Sequence, residues 1–257
     1  MEMNPVIQAL LNHRSVRKYK PDQPGGEIIE TIVRAGQQAA FSAQLTSVLL
    51  SRKGKAPFNA PLHFVICLDI YKLERIMQQR GWELRSNHLL LLMFGIQDAA
   101  YMAQNMVVAA ESLGLGTCFL GGAPHVADQI AEQFKLPMRV FPLVGLVMGY
   151  PDEDFSPRPR YPLSFTLFED TYPELSDAQV RDAMEVMDQG YLQQDYYRKQ
   201  GAKIDLEVDR QETFTYQDYS WTEHISRKWG QWWPSPKDLL EQLYLRGFDI
   251  PGDREKE

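Results

Sequence analysis

His13-Arg14-Ser15-Val16-Arg17 is the first stretch of this chain whose residue types and spacing could do chemistry. Two arginines three apart, with a serine between them, can set two guanidinium groups and a hydroxyl around one phosphate. The same letters also read as a solvated loop whose arginines pair with nearby acids. Arg158-Pro159-Arg160 is a second candidate. Proline limits backbone freedom, so the flanking arginines are held more firmly than in an ordinary loop and can meet an anion or an electron-rich ring edge. A solubilising surface arm explains them equally well. In Phe119-Leu120-Gly121-Gly122, paired glycines leave backbone N–H groups open to a bound ring or anion beside two apolar neighbours, or simply make a strand-to-helix turn.

Several other chemistries lose support. No GxGxxG follows a strand-like run, and Gly54-Lys55-Ala56-Pro57 lacks the serine or threonine of a phosphate-binding P-loop. HExxH, GxSxG and metal-spaced cysteine clusters are absent from the sequence, and its 5 histidines are scattered, so no metal site is expected.

The elements that must position these motifs are organised around His88–Leu113, where apolar and small residues recur on nearly every face without a proline. That pattern predicts a helix enclosed on all sides, roughly 39 Å long. Gln97, Asp98, Gln104, Asn105 and Glu111 exclude a lipid environment for it. Gly95, Ala99, Ala103 and Ala109 would admit a close partner helix, including one from a second subunit, and Gly114, Gly116, Gly121 and Gly122 form a glycine-rich exit. Further helices are expected over 5–12, 27–40, 71–80, from Pro124 to Phe134, 177–197, 221–229 and 236–246, with strands over 46–51, 63–68 and 140–148. Pro142 argues that the last strand is an edge or has an irregular start. Pro151, Pro157, Pro159 and Pro162 mark an extended arm, the polar stretch 198–217 reads as a mobile insert, and the final PGDREKE reads as a frayed tail. Helices sandwiching a small sheet make an α+β pattern.

With 257 residues, 44% apolar and 24% charged, the chain suits one large globular domain, 1–257, carrying the 151–170 arm and the 198–217 insert. A net charge of −7 offers no basic face for nucleic acid. Cys67 and Cys118 both lie in strand-like apolar contexts and read as two buried thiols. No basic segment leads into an apolar run at the start, so a cytoplasmic location is expected, without membrane attachment.

Taken together, Asn12–Arg17, DAAYMAQNMVVAAESLGLGTCFLGG, FPLVGLVMGYP and RPRYP resemble the nitroreductase family of flavin enzymes, in particular its larger NADPH-dependent branch. The likeness continues more loosely through Tyr196-Tyr197 and Trp221-Thr222-Glu223-His224-Ile225. It implies an α/β/α sandwich, a domain-contributing homodimer with a long central helix, and two FMN sites at the subunit interface. By motif, His13, Arg14, Ser15 and Arg17 match the family's phosphate and ribityl contacts, and Arg160 the arginine that joins them. Phe119, Leu120, Gly121 and Gly122 match the segment along the isoalloxazine, where a glycine N–H approaches N5. Arg158 takes the place of a family lysine at the N1/O2 edge, where a fixed cation eases reduction.

The implied activity is ping-pong, two-electron reduction of a nitroaromatic, a quinone or free flavin, with NADPH favoured over NADH as the reductant. No side chain acts as a nucleophile. Arg198, Lys199, Lys203 and Arg210 are the candidates for the coenzyme phosphate, although the acids of DLEVD fall among them. Phe41, Phe119 and the aromatics of 214–233 are candidates for the acceptor pocket. Where the family has a serine-rich segment ending in glutamine, this chain has Ala39–Gln44, leaving Ser42 and Gln44 as polar candidates, and no glutamine stands near Gly54–Lys55. Fewer polar contacts imply weaker FMN retention or a shifted potential. Dehalogenation or activated-alkene reduction on the same fold, and a non-catalytic flavin-binding protein, are the alternatives.

Overall fold

The computed structural model describes residues 4–52, 55–207, 210–231 and 236–250. The chain forms two compact units, Met1–Phe155 with Ser235–Glu257, and Ser156–Pro234.

The first unit is built on a four-stranded antiparallel sheet of order β1-β2-β4-β3, from β1 (Thr46–Ser51), β2 (Leu62–Asp69), β3 (Gly116–Leu120) and β4 (Val140–Gly149). Alternate residues of β2 face opposite sides. Leu62, Phe64 and Ile66 pack with Leu146 and Met148 against α2 (Gly26–Gln37) and α4 (His88–Ser112), while Val65 and Cys67 meet Ile130 and Phe134 of α5 (Ala127–Phe134). Burial on both faces is why β2 reads as a continuous apolar run. Helices α1 (Pro5–Leu11), α3 (Tyr71–Gln79) and α9 (Pro236–Leu245) complete the unit. Both cysteines are buried and free.

Three expectations meet the structure here. Of the two readings of Pro142, the irregular start holds and the edge does not, since β4 is an interior strand. The register shifts between Ile66 and Cys67, whose partners are Val144 and Pro142, so the missing proline N–H falls beside a bulge. Second, α4 is not enclosed on all sides within this chain. It buries Leu91, Gly95, Asp98, Ala99, Ala103, Met106, Val107 and Ala110 but leaves Leu89, Leu90, Met93, Phe94, Ile96 and Tyr101 exposed. Third, Gly95, Ala99 and Ala103 serve the chain's own packing. A Cβ on Gly95 would stand 1.8 Å from Leu68 Cδ1.

α4 starts at the Asn87 cap, which accepts from Leu90 N at 2.7 Å. It ends with Leu115 N donating to Ala110 O at 3.0 Å across Gly114, whose φ is 81°. This left-handed glycine closure releases the chain directly into β3.

In the second unit, α6 (Asp177–Gln193) begins with a Ser176/Gln179 capping box. The single helix expected through Tyr197 breaks at Asp195, whose φ of 50° turns the chain into α7 (Tyr196–Gln200). α8 (Trp221–Gln231) follows a stretch without regular structure, whose described residues are tied down by Ile204 N to Tyr219 Oη at 3.1 Å and Glu207 N to Gln231 Oε1 at 3.1 Å. Met187, Tyr191, Tyr197 and Tyr219 form this unit's core. Residues 152–162 run without regular structure. Gly54, Trp232, Trp233 and the tail 251–257 lie outside the described residues.

Candidate functional site

The segment 13–20 threads beside β3 and the end of β4. Ser15 bridges to Thr117, Val16 N donates to Thr117 O at 2.8 Å, and Lys20 N donates to Tyr150 O at 2.8 Å. Gly116 must be glycine for this, since a Cβ there would lie 2.6 Å from Val16. Glu153 accepts from the N–H groups of Arg17 (2.5 Å) and Lys18 (3.1 Å), fixing the segment from its other side.

Alternation along this extended segment separates its side chains. Ser15 and Arg17 both lie close to the Cys118 thiol. Burial pushes that thiol's pKa up, and the Arg17 charge works against the rise. Among the described residues no carboxylate lies within ion-pairing distance of Arg17. Arg14 points elsewhere, to Asp154 Oδ1 at 3.2 Å and Asn12 O at 3.4 Å, and its Nε is buried without a partner among the described residues. It lines a recess of about 210 Å³ with Val16, Glu111, Gly116 and Pro151. His13 Nδ1 lies 2.7 Å from Glu111 Oε1, which also accepts from Thr117 Oγ1 at 2.9 Å.

β3 carries this cluster onward to Phe119, which is 38% exposed, and to Leu120, Gly121 and Gly122. Among the described residues, no atom beyond the adjoining residues lies within 4 Å of where a Cβ on Gly121 or Gly122 would stand, and neither has a positive φ. The protein's own packing therefore gives no reason for glycine at either position.

Ser42 and Gln44 belong to a different cluster. Asp98, buried in the middle of α4, accepts from the N–H groups of Ser42 (2.6 Å), Ala43 (3.2 Å) and Leu45 (2.9 Å). Gln44 between them is left-handed, with a φ of 52°. It lines a small recess with Phe41, Thr46, Lys72 and Met102. Asp98 and Glu111 are thirteen helical residues apart, roughly 20 Å along the axis. One copy of the chain thus does not bring Ser42 and Gln44 to the His13–Arg17 cluster. Asp98 was visible in the sequence only as a charge inside an apolar helix.

In the second unit, Arg158 Nη1 donates to Gln194 Oε1 at 2.5 Å, and its guanidinium lies 4.0 Å from the Tyr196 ring centroid. Arg160 donates to the carbonyls of Arg158 (3.1 Å) and Pro159 (3.0 Å). Three of the four coenzyme candidates are engaged internally. Arg198 pairs with Asp195 at 3.0 Å, Lys199 Nζ donates to Gln194 O at 2.9 Å, and Lys203 meets Glu212 at 3.0 Å and also the Phe214 carbonyl. Arg210 lines a cavity of about 460 Å³ with Phe214, Glu223, Ser226 and Arg227. Arg227 is a residue that sequence reasoning missed. It is buried, and it donates to both Glu212 oxygens at 2.7 and 2.8 Å, to Glu223 at 2.7 Å and to Ile204 O at 2.8 Å. Hydrogen bonds from Arg227 and the Phe214 N–H hold the Glu212 carboxyl well below the usual carboxylate range. Its only sequence signal was the four-residue Glu223–Arg227 spacing on a helix.

No cluster of histidine, cysteine or carboxylates among the described residues could hold a metal ion, and no described helix is long and apolar enough to cross a membrane. Residues 50–150 match the model described as the Nitroreductase family. FMN reductase (NADPH) of Bacillus subtilis is 32% identical over 215 residues, 77% of this chain and 85% of its own. A CR(VI) reductase of a Pseudomonas species is 34% identical over 182 residues, 65% of this chain and 75% of its own. The solved structure of NfrA1 from B. megaterium matches with a TM-score of 0.80 at 28% identity, over 95% of this chain and 99% of that one. Fold, motifs and relatives agree: the chain belongs to the nitroreductase family.

Proposed function

We propose that this chain is an FMN-dependent oxidoreductase that takes electrons from NADPH and delivers them two at a time, by a ping-pong cycle, to a small oxidised acceptor such as a nitroaromatic, a quinone or free flavin. The observation that carries the reading is the open space over Gly121 and Gly122, in line along β3 with a cluster whose Arg17 has no carboxylate partner among the described residues. Bare backbone N–H groups next to an available guanidinium suit a flat anionic cofactor. When bound, FMN supplies the ring that accepts and returns a hydride, so no protein nucleophile is needed.

His13, Arg14, Ser15, Arg17 and Arg160 hold the phosphate end, with Ser42 and Gln44 as further polar contacts. Phe119 and Leu120 give an apolar wall, and Gly121 and Gly122 allow close approach. Arg158 offers fixed positive charge to the reduced ring. Arg210 and its cavity receive the coenzyme phosphate, with Arg198, Lys199 and Lys203 around it. Phe41 and Phe214 shape the acceptor side.

The protein works as a homodimer, with residues 1–257 acting as one nitroreductase-like domain in the cytoplasm. Two observations support the dimer. The exposed apolar row Leu89, Leu90, Met93 and Phe94 needs cover. Ser42 and Gln44 stand too far from His13–Arg17 to serve one ligand within a single copy, which two copies resolve. Titrating FMN into flavin-free protein tests the assignment. One FMN per chain, followed by NADPH oxidation on adding a nitroaromatic or a quinone, is expected. Failure to bind FMN overturns it.

A further inference from the structure

The arm that carries Arg158 is fixed at three consecutive residues. Pro157 O accepts from Gln194 Nε2 at 2.9 Å, Arg158 Nη1 donates to Gln194 Oε1 at 2.5 Å, and Pro159 fills the space over Gly190, where a Cβ would stand 2.5 Å from Pro159 Cγ. One side-chain amide therefore binds both the backbone and the side chain of the arm. Its nitrogen is spent on Pro157 O, which leaves its oxygen aimed at the guanidinium.

The carbon of that guanidinium lies over the Tyr196 ring, 4.0 Å from its centroid. Tyr196 is itself wedged edge-on against Tyr191 at 5.4 Å and Tyr197 at 5.0 Å, two members of the buried core. Gln194 and Tyr196 are brought to the same guanidinium by the corner at Asp195, with its φ of 50°, and the Asp195–Arg198 pair at 3.0 Å sits on that corner. A lysine at position 158 would bring a single flexible ammonium to this seat, without the rigid planar fork that meets the ring and the amide together.

We propose that Gln194 and Tyr196 are positioning residues for Arg158, holding its guanidinium in one orientation and thereby setting how strongly it favours the reduced flavin. The inference rests on the FMN reading and deepens it. An ionic stabiliser acts through its placement, so loosening its seat weakens the effect even with the charge retained.

The test is the reduction potential of bound FMN, measured on the holoenzyme by equilibration with a redox dye, in wild type, Arg158→Ala, Gln194→Leu, Tyr196→Leu and Tyr196→Phe. Arg158→Ala lowers the potential. Gln194→Leu and Tyr196→Leu lower it in the same direction while the charge at 158 remains, and Tyr196→Phe, which keeps the ring face, matches wild type. An unchanged potential in Gln194→Leu and Tyr196→Leu, alongside a lowered one in Arg158→Ala, overturns the positioning role and leaves the FMN reading standing. An unchanged potential in Arg158→Ala overturns both the Arg158 role and the positioning. Should Tyr196→Leu not fold, Gln194→Leu decides by the same readout.

Discussion

Two arginine-bearing regions of this molecule look alike in sequence and differ in what they can do. In 13–17, Arg17 meets a thiol and Arg14 keeps a buried Nε without a partner among the described residues. In 198–231, Arg227 spends its donors on Glu212, Glu223 and a carbonyl, and Lys203, Lys199 and Arg198 are likewise engaged. In the first region Arg14 pairs with Asp154 but Arg17 has no carboxylate within ion-pairing distance among the described residues, whereas the second region uses most of its charge to close a loop onto α8. A count of basic residues cannot separate the two. The carboxylates within reach decide it.

Substitutions in the two regions should have opposite effects. Arg227→Ala should be the most destabilising of these changes, because it removes a buried guanidinium that donates to Glu212, Glu223 and the Ile204 carbonyl at once. Urea denaturation measures this, and a loss under ~1 kcal/mol would mean that the clamp is not structural. Arg17→Ala should behave in the opposite way, leaving stability within about 1 kcal/mol while raising the FMN dissociation constant roughly 10- to 100-fold, the effect of losing a charge-assisted hydrogen bond. Unchanged affinity would move the phosphate end away from 13–17.

Glu212→Gln tests the middle ground. It removes the negative charge paired with Arg227, which lines the Arg210 cavity, yet keeps a hydrogen-bonding side chain, so KM for NADPH should fall roughly two- to five-fold with KM for NADH unmoved. Equal changes for both coenzymes would remove the cavity from phosphate recognition.

The smallest effect concerns pH. Burial lowers the pKa of His63 in the first unit and of His224 in the second, where Lys228 adds to the shift. A histidine depressed in the folded state is protonated more readily in the unfolded one. Stability should therefore be full above about pH 6.5 and decline below it. His224→Gln should flatten that decline if the second unit contributes, and an unchanged acid limb would assign it to other groups.

Much of the fold was legible because it rests on local pattern. The apolar run 88–113 and the strands 46–51 and 63–68 carry periodicities that survive in isolation, and they stand in the structure within a residue or so. The break at Asp195 was not legible, since a left-handed non-glycine residue leaves no strong mark in the letters. Nor were the acids that organise the site. Asp98 binds Ser42 across 56 positions and Glu153 binds Arg17 across 136, pairings that no spacing rule encodes. The exposed face of α4 was hidden for a different reason: an all-apolar helix looks the same whether its own chain or another covers it.

The most direct measurement of the central claim is the visible absorption of the gently purified protein, followed anaerobically on adding NADPH and, separately, NADH. An NADPH-dependent FMN reductase should show flavin bands that bleach rapidly with NADPH and more slowly with NADH. A protein that is colourless and takes up no added FMN, or one whose flavin bands persist under both coenzymes, would contradict it.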